Sequence, residues 1–139
     1  MYRLTVLLLT PFAALAQSPV EYDISFDNAV HHEARITVTW RGLGEEPLEL
    51  RMSRSSPGRY AVHEFGKNIY SVWVVDGDGD RLEATRPDPY QWNVAGHDGT
   101  VSVTYTLYAD RAGGTYSGID MTHAHLNIPA TLMLSLIHI

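Results

Sequence analysis

Short runs of strictly alternating apolar and polar residues most constrain the fold of this chain. Val20, Tyr22, Ile24 and Phe26 alternate with Glu21, Asp23, Ser25 and Asp27. Ala34, Ile36, Val38 and Trp40 alternate with Arg35, Thr37, Thr39 and Arg41. Leu48, Leu50 and Met52 flank Glu49 and Arg51, and Val101, Val103, Tyr105 and Leu107 share one face of the run from Thr100 to Tyr108. A period of two puts one face of a strand in a core and the other in water. The segment from Asn68 to Asp76 is rich in Ile, Tyr, Val and Trp, which suits a strand by composition. No stretch keeps a helical period over about ten residues. Turn signals separate the runs: Gly42-Leu43-Gly44, Ser56-Pro57-Gly58, Asp76 to Asp80, Ala95 to Gly99 and Gly113-Gly114. The expectation is an all-β fold, an antiparallel β-sandwich or open curved sheets from which the last strand can be missing.

The two ends read differently from the middle. Arg3 precedes an apolar run from Leu4 to Leu15, and Ala14-Leu15-Ala16 offers a small-residue cleavage site. Residues 1–16 are therefore expected to be a secretory signal peptide, too short to span a bilayer. Residues 134–139 resemble translated sequencing-adapter read-through rather than native sequence. This leaves 17–133 as one β domain and the chain as an amino-terminal fragment. The expected location is secreted or periplasmic, in a bacterial envelope. The chain has 139 residues, no cysteine, and a net charge of -6. Disulfides, thiolate metal sites and cysteine nucleophiles are excluded. An acidic balance argues against nucleic acid and against an anionic membrane surface.

Most chemical motifs fail on spacing. Asp76-Gly77-Asp78-Gly79-Asp80 has the start of a calcium loop, but Arg81 and Pro87 stand where such a loop needs Gly and Glu. A hairpin turn is expected there. His63-Glu64 opens like a zincin helix, but Lys67 stands where the second His is required. His31 and His32, if in a strand, point to opposite faces, and His123 and His125 lack a third ligand. No catalytic residue and no metal ligand is assigned.

Ser56-Pro57-Gly58-Arg59-Tyr60, followed by Glu64-Phe65 and Asn68, resembles a segment near the start of glycyl-aminopeptidase-type zinc metallopeptidases, metallopeptidase family 61. Val20 to Phe26, Tyr105-Thr106-Leu107-Tyr108-Ala109, and Asp120-Met121-Thr122-His123 with Asn127 resemble further family segments in the same order. One departure is His63, where family members often carry Arg. The resemblance implies a non-catalytic amino-terminal β domain. A thermolysin-like domain with an H-E-x-x-H helix would follow, binding zinc, and a PDZ domain often comes after it. This fragment would hold no cofactor and be inactive alone. Its partners would be its own downstream catalytic domain and the amino terminus of a peptide substrate, with Gly or Ala preferred.

Residues 115–127 break the alternation and concentrate polar groups. If the resemblance holds, Asp120, Thr122, His123 and Asn127 line the substrate cleft, with Asp120 holding the substrate ammonium or orienting a neighbour that does. The competing expectation is local turn chemistry by Asp, Thr and Asn. The rival function is a secreted carbohydrate- or protein-binding sandwich, with Trp40, Trp73 and Trp92 as a stacking platform. A purely structural envelope domain is the third.

Overall fold

The computed structural model describes residues 20–111 and 113–136. The expected signal peptide and the last three residues of the suspected read-through lie outside them. The described residues form antiparallel sheets with almost no helix. The strands are β1 (Glu21–Ser25), β2 (Glu33–Arg41), β3 (Leu48–Arg51), β4 (Ile69–Asp76), β5 (Arg81–Leu82), β6 (Ala84–Asp88), β7 (Gln91–Val94), β8 (Thr100–Tyr108), β9 (Gly118–Ile119), β10 (Ala124–His125) and β11 (Leu134–Ser135). One short helix, α1 (Ile128–Thr131), precedes β11. A five-stranded sheet runs β1-β2-β8-β4-β5, a four-stranded sheet runs β11-β3-β7-β6, and β9 pairs with β10. The two larger sheets are open, as expected for an all-β fold of this patterning.

The alternation explains the core directly. β2 and β8 pair over nine residues, from Glu33 opposite Tyr108 to Arg41 opposite Thr100. Ala34, Ile36, Val38 and Trp40 from one strand, and Val101, Val103, Tyr105 and Leu107 from the other, are buried. Leu48, Leu50, Trp92 and Val94 of the second sheet join them in one apolar cluster. The outward face of the pair is polar, with hydroxyl pairs Thr37–Thr104 at 2.9 Å and Thr39–Ser102 at 2.8 Å.

Alternation overstates burial where a strand lies at an edge or carries an irregularity. β1 has β2 as its one neighbour in the sheet order, and Tyr22 and Phe26 stay substantially exposed. In β4 the register against β8 shifts between Tyr70 and Trp73, and Ser71 takes φ 52°. The extra residue reverses the facing of the rest of the strand. Val74 is buried and Trp73 is half exposed, with Arg81 stacked 3.4 Å from its ring centre. Trp40 and Trp92 are buried, so the three tryptophans do not make a shared stacking surface. This corrects the expectation of a platform: two of the rings are needed to fill the core.

The Asp76–Asp80 run is a hairpin turn between β4 and β5. The Asp76 carboxylate accepts the amides of Asp78 and Asp80, and Gly79 takes φ 89°. His31 and His32 are not in a strand. They belong to a 3-10 turn at Ala29–His31 closed by His32 at φ 61°. Leu134–Ser135 pairs antiparallel with Arg51 and Leu50.

Candidate functional site

The polar segment 115–127 folds into the small β9–β10 hairpin. Ala124 pairs with Ile119 and His125 with Gly118. The hairpin is fastened to the main sheet at several points. The Ile119 amide donates to the Ala109 carbonyl at 2.8 Å, and His32 Nδ1 lies 2.6 Å from the Ile119 carbonyl oxygen. At Gly118 a Cβ would lie 2.7 Å from the Arg111 carbonyl oxygen, so the close approach requires glycine.

Asp120 organises the tip. Its Oδ1 accepts the Thr122 hydroxyl and the Thr122 amide, each at 2.6 Å, and the His123 amide at 3.0 Å. Its Oδ2 lies 3.1 Å from His123 Nδ1. The Thr122 hydroxyl, and then the two amides, hold the Asp120 carboxyl down at a pKa of about 2. The hydroxyl hydrogen of Thr122 is committed to Asp120, and the Asp120 oxygens can only accept. The network therefore assigns the proton of neutral His123 to Nδ1 and leaves Nε2 as an acceptor. Nε2 has no hydrogen-bond partner among the described residues, and the side chain is 70% exposed.

Asp120, Met121, Thr122, His123 and Ala124 form one wall of a groove of about 550 Å³. The other wall is Phe26, Asp27, Ala29 and Val30, at the end of β1 and the turn after it. Alternation alone does not reveal this second wall. It places Phe26 in a buried face, whereas Phe26, Val30 and Met121 are all exposed apolar residues. The signal available in the sequence is the Asp27-Asn28 pair after Phe26, which ends the strand before Phe26 can be covered.

Asn127 is placed apart from the other three candidates. Its side-chain amide donates to Ser56 Oγ at 3.1 Å and to the Thr115 carbonyl, and its backbone amide donates to Ser117 Oγ at 3.0 Å. It locks the Ser56-Pro57-Gly58 turn to the start of the hairpin and does not line the groove. Next to His63, Glu64 pairs with Arg54 Nη2 at 2.7 Å. His63 stacks on Phe65 with ring centres 5.2 Å apart. Among the described residues, no three His, Asp or Glu side chains converge as metal ligands, and no helix is long and apolar enough to cross a membrane.

The depressed Asp120 pKa gives a signed prediction. A carboxylate whose folded pKa lies near 2 stabilises the fold above its ordinary value of about 3.9. That contribution is lost as the pH falls from about 4 through about 2. Asp120→Asn should be less stable than the unsubstituted chain at pH 6, and the gap should close toward pH 2. Urea midpoints across that range test it; a gap independent of pH would show that the charge plays no part.

Residues 21–136 match the family described as Peptidase M61 N-terminal domain. In structure the chain is similar to an aminopeptidase N family protein from Idiomarina loihiensis, with a TM-score of 0.79 and 21% identity. That similarity covers 85% of this chain and 20% of the other, so this chain spans about a fifth of that protein's length. It supports the all-β fold. No curated protein matches the chain.

Proposed function

The chain belongs to the Peptidase M61 N-terminal domain family, and on that premise we propose that it is the non-catalytic β domain of a secreted zinc aminopeptidase. In this reading it packs on the catalytic domain and shapes the cleft that admits a peptide amino terminus, with Gly or Ala preferred. The observation that carries the reading is the Asp120 turn. It is a fixed, ionised carboxylate that orients an imidazole acceptor at the mouth of a groove. Asp120 Oδ1 already accepts three hydrogen bonds, so Asp120 acts by holding His123. His123 Nε2 then takes one N–H of the substrate ammonium, while the negative charge behind it favours the cation.

Zinc belongs to the H-E-x-x-H domain of the family. The described residues of this chain do not form a ligand set for it. What this chain supplies is position and charge.

The test uses the full-length peptidase, with glycyl and alanyl chromogenic amides. Asp120→Ala should lower kcat/KM about tenfold or more, the scale of a lost charge-assisted hydrogen bond, when assayed well below the melting temperature of the variant, where it is fully folded. His123→Ala should act in the same direction and add little to Asp120→Ala, because both variants remove one device. Unchanged kinetics, or losses that track unfolding, would return these residues to turn chemistry.

A further inference from the structure

Beyond the Asp120 turn, the fold gathers cations that the sequence keeps apart. Tyr116 carries two of them on its ring. The Arg111 guanidinium lies 4.4 Å from the ring centre and the Lys67 ammonium 5.7 Å. The His63 imidazole meets the same ring edge-on at 5.4 Å. Arg59 Nη2 comes 3.8 Å from where a Cβ on Gly114 would stand, so it borders the same loop. Arg59, Lys67 and Arg111 are exposed, and none has an ion pair among the described residues. Arg41, Arg51 and Arg54, by contrast, each lie against a glutamate. Of the nearby carboxylates, Glu64 pairs with Arg54 at 2.7 Å, and Asp110, 3.8 Å from His32 Nδ1, accepts a 3.4 Å bond from the Tyr108 hydroxyl. Beside Arg59, Tyr60 projects with its whole side chain in solvent, at 106% relative exposure.

Topology sets this cluster against an acidic far end. β4 starts just after Lys67 and finishes at the Asp76–Asp80 turn, and β8 starts just after Asp98 and finishes just before Asp110 and Arg111. A chain of net charge -6 therefore presents a cationic, aromatic surface at one end of its sheet. Cations held over a ring are partly ordered in advance, which lowers the entropy lost on meeting an anion. Guanidinium groups fit carboxylates through two parallel hydrogen bonds. A fully exposed tyrosine is a common anchor at protein interfaces.

We propose that this loop surface recognises an acidic, carboxylate-rich segment of a partner protein, with Arg59, Lys67 and Arg111 meeting the carboxylates and Tyr60 as the apolar anchor. The inference does not depend on the peptidase reading, because it rests on charges outside the groove.

The experiment is calorimetric titration of the whole chain with a polyglutamate peptide, a polyglutamine peptide and inorganic phosphate. Polyglutamate should bind, and its affinity should fall steeply with added salt, since screening acts beyond about 8 Å at physiological ionic strength. Polyglutamine and phosphate should bind far more weakly. The triple variant Arg59→Ala, Lys67→Ala, Arg111→Ala should weaken polyglutamate binding about tenfold or more, because three charge contacts are lost. Tyr60→Ala, a fully exposed position that cannot disturb the core, should weaken it several-fold. Arg41→Ala, on a cation that pairs with Glu21, should leave it unchanged. No binding at low salt, equal binding by the triple variant, or equal binding of phosphate would overturn the proposal.

Discussion

Trp40→Ala is expected to lower the unfolding free energy by about 3–5 kcal/mol, the range for deleting a large buried aromatic side chain. Trp40 is 1% exposed and stands opposite Val101, where β2 and β8 pair. It is among the largest side chains in the core that the two sheets share. Its removal forfeits apolar burial and leaves a cavity that the paired strands cannot close. A domain of this size has about 5–15 kcal/mol in total, so the loss is a large share of its stability. Trp73→Ala is the informative comparison, because the bulge at Ser71 turns that ring outward. It should cost about 1 kcal/mol or less, mainly the stack with Arg81. Urea denaturation of the two variants tests both statements. Equal losses would mean that the bulge, and with it the facing of β4, is misplaced.

Tyr105→Phe should cost about 2 kcal/mol or more for the loss of a single oxygen atom. The Tyr105 hydroxyl donates to the Thr131 carbonyl at 2.8 Å and accepts the Met133 amide at 3.1 Å. Tyr105, Thr131 and Met133 are all essentially inaccessible. Phenylalanine would leave a buried carbonyl and a buried amide unpaired, and water cannot easily reach either. Burial also drives the Tyr105 phenol well above the ordinary tyrosine range, so it stays neutral throughout the usual pH range. The bond fixes the segment from α1 to β11 against β8, and amide exchange in residues 131–135 should quicken in the variant. Tyr108→Phe, on an exposed ring with a weak 3.4 Å bond to Asp110, should change stability by less than about 0.5 kcal/mol. If Tyr105→Phe is equally mild, the hydroxyl is not the clamp described.

The two tyrosines also show how differently the chain's properties are encoded. Tyr105 reads as core from the alternation of β8 alone, because β8 pairs with β2 from Thr100 to Tyr108 without a shift of register. The same holds for Ile36, Val38 and Trp40 in β2. The hairpin at Asp76–Asp80 was legible for a similar reason: aspartate and glycine act on their own backbone within four residues. The strands β6 and β7 were not legible. Pro87 interrupts β6, and Gln91, a polar residue, is buried in β7. β7 pairs with β3 on one side and, on the other, with β6 across a short turn in which the Tyr90 amide donates to Asp88 Oδ1.

The candidate site divides along the same line. That 115–127 departs from strand patterning, and that Asp120, Thr122 and His123 form one polar group, comes from residues within four positions of each other. Tertiary structure alone decided that Asn127 reaches Ser56, 71 positions away, rather than the groove. It also decided that Phe26 and Val30 supply the opposite wall and that Lys67 and Arg111 meet on Tyr116. The sequence by itself determined which faces must be buried and which turns must form, because solvent exclusion and backbone hydrogen bonding act at short range along the chain. Which loops become neighbours was left to the pairing of β2, β4 and β8, whose register depends on contacts between residues far apart in sequence.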